Sequence, residues 1–285
     1  MTAEELVSLI SERRDYNLHS HTEYCDGRVP MSVMTKAAIE AGYGVWGFTP
    51  HSPVPVESGC NMLESDVARY IDNLSALQDQ HADKIRLLCG MEVDFLGRDF
   101  GPHIDYFHKL PLEYRIGSVH FVPNQEGRLL DCDGRFERFS KYLKAGYNGD
   151  LRYVVEKYFE QVLTMLELGG FEILGHFDKI IGNASQADPT LEDQKWYVAL
   201  IDDVISKSKD AGVIVEINTK AFEKSGRFYP SEKWWEQLQN SKIPIAINTD
   251  CHDPELINVG RDEAFFRMHN AQSSKLSLKY ITGRV

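Results

Sequence analysis

The stretch YNLHSHTEYCDG, residues 16–27, starts as a short strand and ends with His19 and His21 flanking one serine, with Asp26 close behind. Side chains two apart on a strand share a face, so both imidazoles can meet one ion. The run NTDCH at 248–252 repeats that spacing with Asp250 and His252. Between these pairs, His51, Glu92, His120 and His176 each stand at the end of a separate apolar run, and Glu216 or Asn218 closes another. Imidazole and carboxylate ligands without thiolates suit zinc, manganese or iron. His19, His21, Asp26, His51, Glu92, His120, His176, Asp250 and His252 together exceed what one ion can use. Two or three divalent ions are the natural expectation.

Each piece has a plainer explanation. A lone histidine such as His176 is ordinarily a hydrogen-bonded structural residue. NTDCH could be a turn with a helix cap, but Asp253 before PEL can take the cap and so frees Asp250. Glu92 inside an apolar run is harder to set aside, because a buried carboxylate without a partner is costly. The joint pattern carries more weight than any part. Six histidines fall at strand ends, while His81, His103, His108 and His269 fall in helices or loops. Structural burial gives no reason for that sorting.

The elements that must position these groups recur in order. Apolar strands are expected at 16–21, 45–50, 85–93, 115–121, 171–176, 213–218 and 243–250. Helical segments are expected near 30–42, 63–82, 151–169, 189–211, 231–240 and 254–268. Thr190-Leu191 and Asp253-Pro254 mark starts, and Ala-Gly at 41–42 and 211–212 marks stops. The polar, Gly-containing region 122–150 reads as an inserted loop with little regular structure. Strand–helix alternation implies an α/β fold with a parallel sheet, and seven strands suggest a closed or nearly closed barrel. In such barrels sites gather at the C-terminal ends of the strands, where the candidate ligands stand.

Composition narrows the class. The chain has 285 residues, 42% hydrophobic and 26% charged, which suits a globular protein with one large core, and no linker or repeat divides it. No apolar run approaches the ~18–20 residues of a membrane span. The N-terminal segment lacks a signal peptide's features, which makes a cytoplasmic place the expectation. Five widely spaced cysteines without a CxxC pair read as reduced thiols, not a disulfide framework or thiolate site. The net charge of −12 disfavours nucleic acid as a partner. It would repel a small anion too, unless the site is locally positive. Divalent ions set against Asp26, Glu92 and Asp250, with neutral histidines, supply that local charge. Metal-assisted hydrolysis of a phosphate ester is the activity that follows.

The motifs HSHTEYCDG, GFTPHSP, GMEVDF, GSVHF, GHFD and NTDCHDPELINVG resemble, in order, those of the PHP (polymerase and histidinol phosphatase) superfamily. The resemblance runs from about residue 15 to 268. Within it, GSVHFV and EINTKAFEKSGRFYPSE are most similar to histidinol-phosphate phosphatases of the PHP type. It implies a single distorted (β/α)7 TIM-like barrel domain over residues 1–285 with a trinuclear metal site. His19, His21, Glu92 and Asp250 would hold the first ion. Glu92 would bridge to a second ion on His120 and His176, and Asp26, His51 and His252 would hold the third. Some members carry a histidine one position after Asp26, where this chain has Gly27.

The implied reaction is in-line hydrolysis of L-histidinol phosphate, a step of histidine biosynthesis. Asp250 or His252, or else a water, would protonate the leaving alkoxide. Arg227 and Arg261 become candidate phosphate contacts, and Glu223 a candidate partner for the substrate ammonium. Cys25 and Cys251 alternate away from the ligand face and read as packing residues, as do Trp234 and Trp235. Three readings stay open beside this one. They are a phosphoesterase for another small ester (a sugar phosphate or nucleotide), a non-catalytic metal-binding barrel, and an amidohydrolase-type hydrolase with Glu92 in place of a bridging lysine. Oligomeric state is not legible.

Overall fold

The computed structural model describes residues 1–270, so the last fifteen positions of the expected 1–285 domain lie outside the described residues. Its strands are β1 (Tyr16–Asn17), β2 (Val45–Phe48), β3 (Arg86–Asp94), β4 (Tyr114–Ser118), β5 (Phe121–Pro123), β6 (Leu129–Asp131), β7 (Ile173–Leu174), β8 (Ile214–Asn218) and β9 (Ile245–Asn248). Its helices are α1 (Ala3–Glu12), α2 (Met31–Glu40), α3 (Val67–His81), α4 (Asp105–Lys109), α5 (Phe136–Gly146), α6 (Leu151–Leu168), α7 (Ile181–Ala187), α8 (Lys195–Ala211), α9 (Phe222–Ser225) and α10 (Trp235–Ser241). Residues 261–270 are also helical. Among the described residues no helix is long and apolar enough to cross a membrane.

Seven strands form one parallel sheet in the order β1-β2-β3-β4-β7-β8-β9. The β9–β1 seam is closed partly by side chains. Leu18 N–H donates to Asn248 Oδ1 at 2.8 Å and Thr249 N–H to Asn17 Oδ1 at 2.8 Å. Beyond them Ser20 bridges Cys251 in parallel fashion, and His21 N–H donates to the Cys251 carbonyl at 2.8 Å. The result is the expected distorted TIM-like (β/α)7 barrel, nearly closed.

Inward residues fill the barrel. Leu18, Val45, Leu88, Tyr114, Ile116, Ile173, Ile214 and Ala246 form one apolar cluster, which Leu6 and Leu9 of α1 join. Thr2 and Glu5 build a capping box that starts α1. Tyr114 crosses the interior to donate to the Leu18 carbonyl at 2.7 Å. Gly47 makes room for it, since a Cβ there would stand 1.9 Å from the phenol oxygen. Such close packing fixes the strand ends relative to one another, which a multi-strand site requires.

The expected strands are all present: β1, β2, β4, β7 and β9 end two to four residues early, where the ligand-bearing residues leave the sheet, whereas β3 runs on to Asp94 and β8 ends at Asn218 as expected. The region 122–150 corrects the expectation of an irregular loop. It holds the antiparallel β5–β6 hairpin and helix α5. Asn124 organises the turn, its Oδ1 accepting from the N–H groups of Glu126 and Arg128. Phe136, Phe139, Leu143 and Tyr147 recur at helical spacing, and Phe139 and Tyr147 are buried with Val122, Leu130 and Cys132. The period was present but unannounced, for Arg135 offers no side-chain cap. Tyr147 donates to the Val122 carbonyl at 2.7 Å and Gln161 of α6 to the Phe121 carbonyl at 2.6 Å, tying the insert to the barrel wall.

Candidate metal centre

Each histidine and carboxylate at the barrel mouth is aimed by the strand that precedes it. Glu92, the seventh residue of β3, is fully buried and stands at the centre. Its Oε1 lies 2.9 Å from His176 Nε2 and 3.6 Å from His120 Nε2. Its Oε2 lies 3.1 Å from His51 Nδ1, 3.3 Å from His19 Nε2 and 3.4 Å from His21 Nε2. Asp250 Oδ1 meets His21 Nε2 at 3.0 Å and His252 Nδ1 at 3.4 Å. Asp26 Oδ1 meets His252 Nε2 at 3.2 Å, His21 Nδ1 at 3.4 Å and His51 Nε2 at 3.9 Å. Asp250 holds a left-handed backbone, φ 49°, where the chain turns out of β9. Aspartate tolerates that region better than most residues.

All nine side chains singled out from the sequence are brought together. They form four overlapping groups whose donor atoms lie within 4.8 Å of one another: His21, Asp26, His51 and His252; His19, His176 and Asp250; His19, His21 and Glu92; His51, Glu92 and His120. These groups share members and divide the ligands differently from the expected three-ion partition. Gly27 has no room for a side chain, because a Cβ would stand 2.4 Å from the Thr22 nitrogen. Asp26 therefore occupies the ligand direction at this turn.

The donor set fits metal ions. Asp26 Oδ1, His51 Nδ1, Glu92 Oε2 and His176 Nδ1 are buried and make no hydrogen bond. Leaving such atoms unpartnered is costly, and three of them face into the cluster. Burial holds the His51 imidazole down to about 4 and that of His252 down to about 3, so both stay neutral, as a metal requires. Burial acts the same way on His120, but Asp94 and Glu92 outweigh it and raise that imidazole to about 9.

A second layer orients the first. His19 Nδ1 lies 2.7 Å from Glu216 Oε1, and Glu216 also accepts from Asn248 at 2.9 Å and from the His176 N–H at 3.1 Å. His120 Nδ1 lies 2.6 Å from Asp94 Oδ1, whose other oxygen accepts from Asn61 at 2.6 Å. Carboxylates behind ligating histidines fix ring tautomer and raise ligand basicity. Glu216 stood only as an alternative strand end in the sequence, and Asp94 was missed. The spacing of Glu92 and Asp94 in GMEVDF, the same as in the HxH pair, was its signal.

Two expected phosphate contacts lie elsewhere. Arg227 forms a bidentate pair with Glu192, both distances 3.1 Å. Arg261 donates to the Arg14 and Tyr16 carbonyls at the start of β1, the opposite end of the barrel. Glu223 is exposed on α9, outside the residues that line the cavity described below. Lysines approach the cluster instead. Lys220 Nζ lies 3.2 Å from Asp250 Oδ1 and 3.1 Å from His252 Nε2, and Lys179 Nζ lies 3.7 Å from Asp250 Oδ2. Cys251 is buried as expected, but Cys25 Sγ lies 3.4 Å from His21 Nδ1. Strand alternation fails there because residues 22–27 curl into a turn, with the Cys25 and Gly27 N–H groups both donating to the Thr22 carbonyl.

Above the cluster is a cavity of ≈ 950 Å³. Asp26, His51, His120 and Asp94 contribute to its floor. Residues 56–61 wall one side, and the β5–β6 hairpin with Arg138 and Tyr142 of α5 walls the other.

Comparison with known proteins places this geometry. A family model described as "PHP domain" matches residues 17–220. A histidinol-phosphatase of Bacillus subtilis (strain 168) is 22% identical over 256 residues, covering 82% of this chain and 92% of its own length. The solved histidinol phosphate phosphatase of Lactococcus lactis subsp. lactis Il1403, complexed with zinc, L-histidinol and phosphate, superposes with a TM-score of 0.69 at 19% identity, covering 90% of this chain and 94% of its own. A solved Listeria monocytogenes chain superposes with a TM-score of 0.78 at 20% identity, covering 87% and 99%.

Proposed function

We propose that this chain, which belongs to the PHP domain family, is a metal-dependent phosphomonoesterase that hydrolyses L-histidinol phosphate to L-histidinol and phosphate. The carrying observation is the convergence of nine ligand-type side chains from six of the seven barrel strands, with buried atoms left unpartnered among them. The substrate follows from the Bacillus subtilis relative and from the zinc, histidinol and phosphate of the Lactococcus lactis structure. A place in histidine biosynthesis, and with it in the cytoplasm, comes with that substrate.

The residues that would hold two or three ions (zinc, manganese or iron) are His19, His21, Asp26, His51, Glu92, His120, His176, Asp250 and His252. Ions there would supply Lewis-acid charge at the phosphoryl oxygens and acidify water for attack on phosphorus. The chain's own work is positioning. Glu92 presents one oxygen to His120 and His176 and the other to His19, His21 and His51, which suits a bridging carboxylate. Glu216 and Asp94 hold His19 and His120 in fixed tautomers. Asp250 and His252 are both held deprotonated. Burial would raise the Asp250 carboxyl, but Lys220 and His19 outweigh it and keep it well below the usual range. We therefore assign both to ligation, with the leaving alkoxide taking its proton from water.

The cavity favours one second reading. Small-molecule pockets span roughly 300–1,000 Å³, and ≈ 950 Å³ is near the top of that span. A bulkier ester, such as a sugar phosphate or nucleotide, would also fit. The deciding experiment is phosphate release from a panel of phosphomonoesters after loading with manganese, zinc or iron. Preference for histidinol phosphate is the expected result. Preference for another ester gives the second reading, and no hydrolysis with any metal overturns both.

A further inference from the structure

We propose that the ammonium groups of Lys179 and Lys220 form the anion cradle of this site, holding the phosphoryl oxygens beside Asp250 where no guanidinium reaches. The inference rests on the phosphatase reading and adds to it the groups that grip the phosphate. Lys179 stands three residues after His176, and its side chain is only 8% exposed. Lys220 leaves the end of β8 and lines the cavity. They approach one carboxylate from its two oxygens, Lys220 at Oδ1 and Lys179 at Oδ2. A buried ammonium ordinarily has its three donors satisfied. The ion-pair contacts of Lys179 Nζ are longer than a good hydrogen bond. Its surroundings are Asp133 at 3.5 Å, Asp250 at 3.7 Å and the Tyr229 ring at 5.4 Å from its centroid.

Neutralising the second-layer carboxylates does not explain these lysines. Glu216 and Asp94 are already partnered by histidine and asparagine, and no lysine lies within 4 Å of either. Nor is the role filled by arginine. Among the described residues no guanidinium lies within 4 Å of the Asp26, Glu92 or Asp250 carboxylates, and Arg227 and Arg261 are spent elsewhere. Once Asp250 gives its lone pairs to an ion, both ammoniums keep their charge, Lys220 loses its carboxylate partner and Lys179 is left with Asp133 alone. A phosphoryl group drawn to the same spot restores it through charge-assisted hydrogen bonds.

The test is titration of inorganic phosphate into the metal-loaded full chain by calorimetry, with metal content measured by elemental analysis. K220M and K179M should each weaken phosphate binding about ten- to hundredfold at unchanged metal content, and K220R should recover most of the loss. Phosphate affinity equal to wild type in K220M overturns the cradle, as does a loss explained by lost metal. Should K179M fail to fold by circular dichroism, K220M and K220R decide alone. Wild-type protein that releases phosphate from esters, with variants that bind phosphate normally, sinks this inference and leaves the phosphatase reading standing. Wild-type protein that neither binds nor releases phosphate sinks both.

Discussion

The floor and one wall of the same cavity are made differently. His19, His51, Glu92, His120 and Asp250 ride on the ends of barrel strands whose positions are locked by interior packing through Tyr114, Leu18 and their neighbours. Arg128, Leu129, Asp131 and Arg138 belong to an insert between β4 and α6, held by a few hydrogen bonds and by Val122, Leu130, Phe139 and Tyr147, which join the apolar core outside the barrel around α6. The floor must be accurate to a fraction of an ångström for several ligands to share ions. The wall must only shape a space. On the proposed function, the floor would determine which bond is broken and the wall which ester enters. Changes to the floor should cost metal and turnover together, and changes to the wall should alter substrate preference at constant metal content.

The strongest test of that division is Glu92→Ala. One Glu92 oxygen faces two histidines and the other faces three, so its loss removes a shared ligand and leaves the surrounding imidazoles without their central partner. Metal binding by elemental analysis should collapse, and turnover should fall by three orders of magnitude or more, the several kcal/mol that bound metal supplies. Full metal content in this variant would remove Glu92 from the centre and break the comparison at its base.

Glu216→Gln comes next. The amide keeps the shape but cannot serve His19 as a charged acceptor, although Asn248 and Asn218 still surround it. Metal affinity should drop about 10–100-fold, with the fold intact by circular dichroism. An unchanged affinity would show that the floor is accurate without its second layer.

How much of this was legible follows the same division. The floor could be read because metal ligands must be histidine or carboxylate and must stand at strand ends, so His19, His21 and Glu92 declared themselves by type and place. Asp94 escaped because a carboxylate behind a histidine has no composition of its own, only the two-residue spacing from Glu92. Lys179 and Lys220 escaped because surface lysines are common, and only their placement beside Asp250, buried for Lys179 and partly exposed for Lys220, distinguishes them. Arg227 and Arg261 misled because a guanidinium's partner depends on tertiary placement, here Glu192 and two backbone carbonyls. The insert was illegible for a different reason. Its helical period was spread over Phe136, Phe139, Leu143 and Tyr147 without a cap, and the hairpin has only three residues per strand.

A proton count sharpens the floor further. Asp94 and Glu92 raise His120 to about 9, and Glu216 and Glu92 outweigh burial to raise His19 to about 10. A raised value means the proton is bound at neutral pH when no metal is present. Loading the stripped protein with zinc at pH 7 should therefore release protons, and metal affinity should fall as pH falls. Calorimetry in buffers of different ionisation enthalpy reads the number released. Zero release would mean that these imidazoles are already neutral in the metal-free protein.

The smallest expected effect belongs to the wall. Tyr147→Phe deletes the hydroxyl that donates to the Val122 carbonyl at 2.7 Å, while the buried ring stays to fill its place. One buried hydrogen bond is worth about 1 kcal/mol, which for a chain of this size shifts Tm by only about 2 °C. The hairpin it anchors walls the cavity but supplies the ions with none of the nine candidate ligands. KM for the preferred ester should rise a few-fold with kcat and metal content at wild-type values. If kcat or metal content fell instead, the insert would be coupled to His120 through the short link from β4, and floor and wall would have to be treated as one structure.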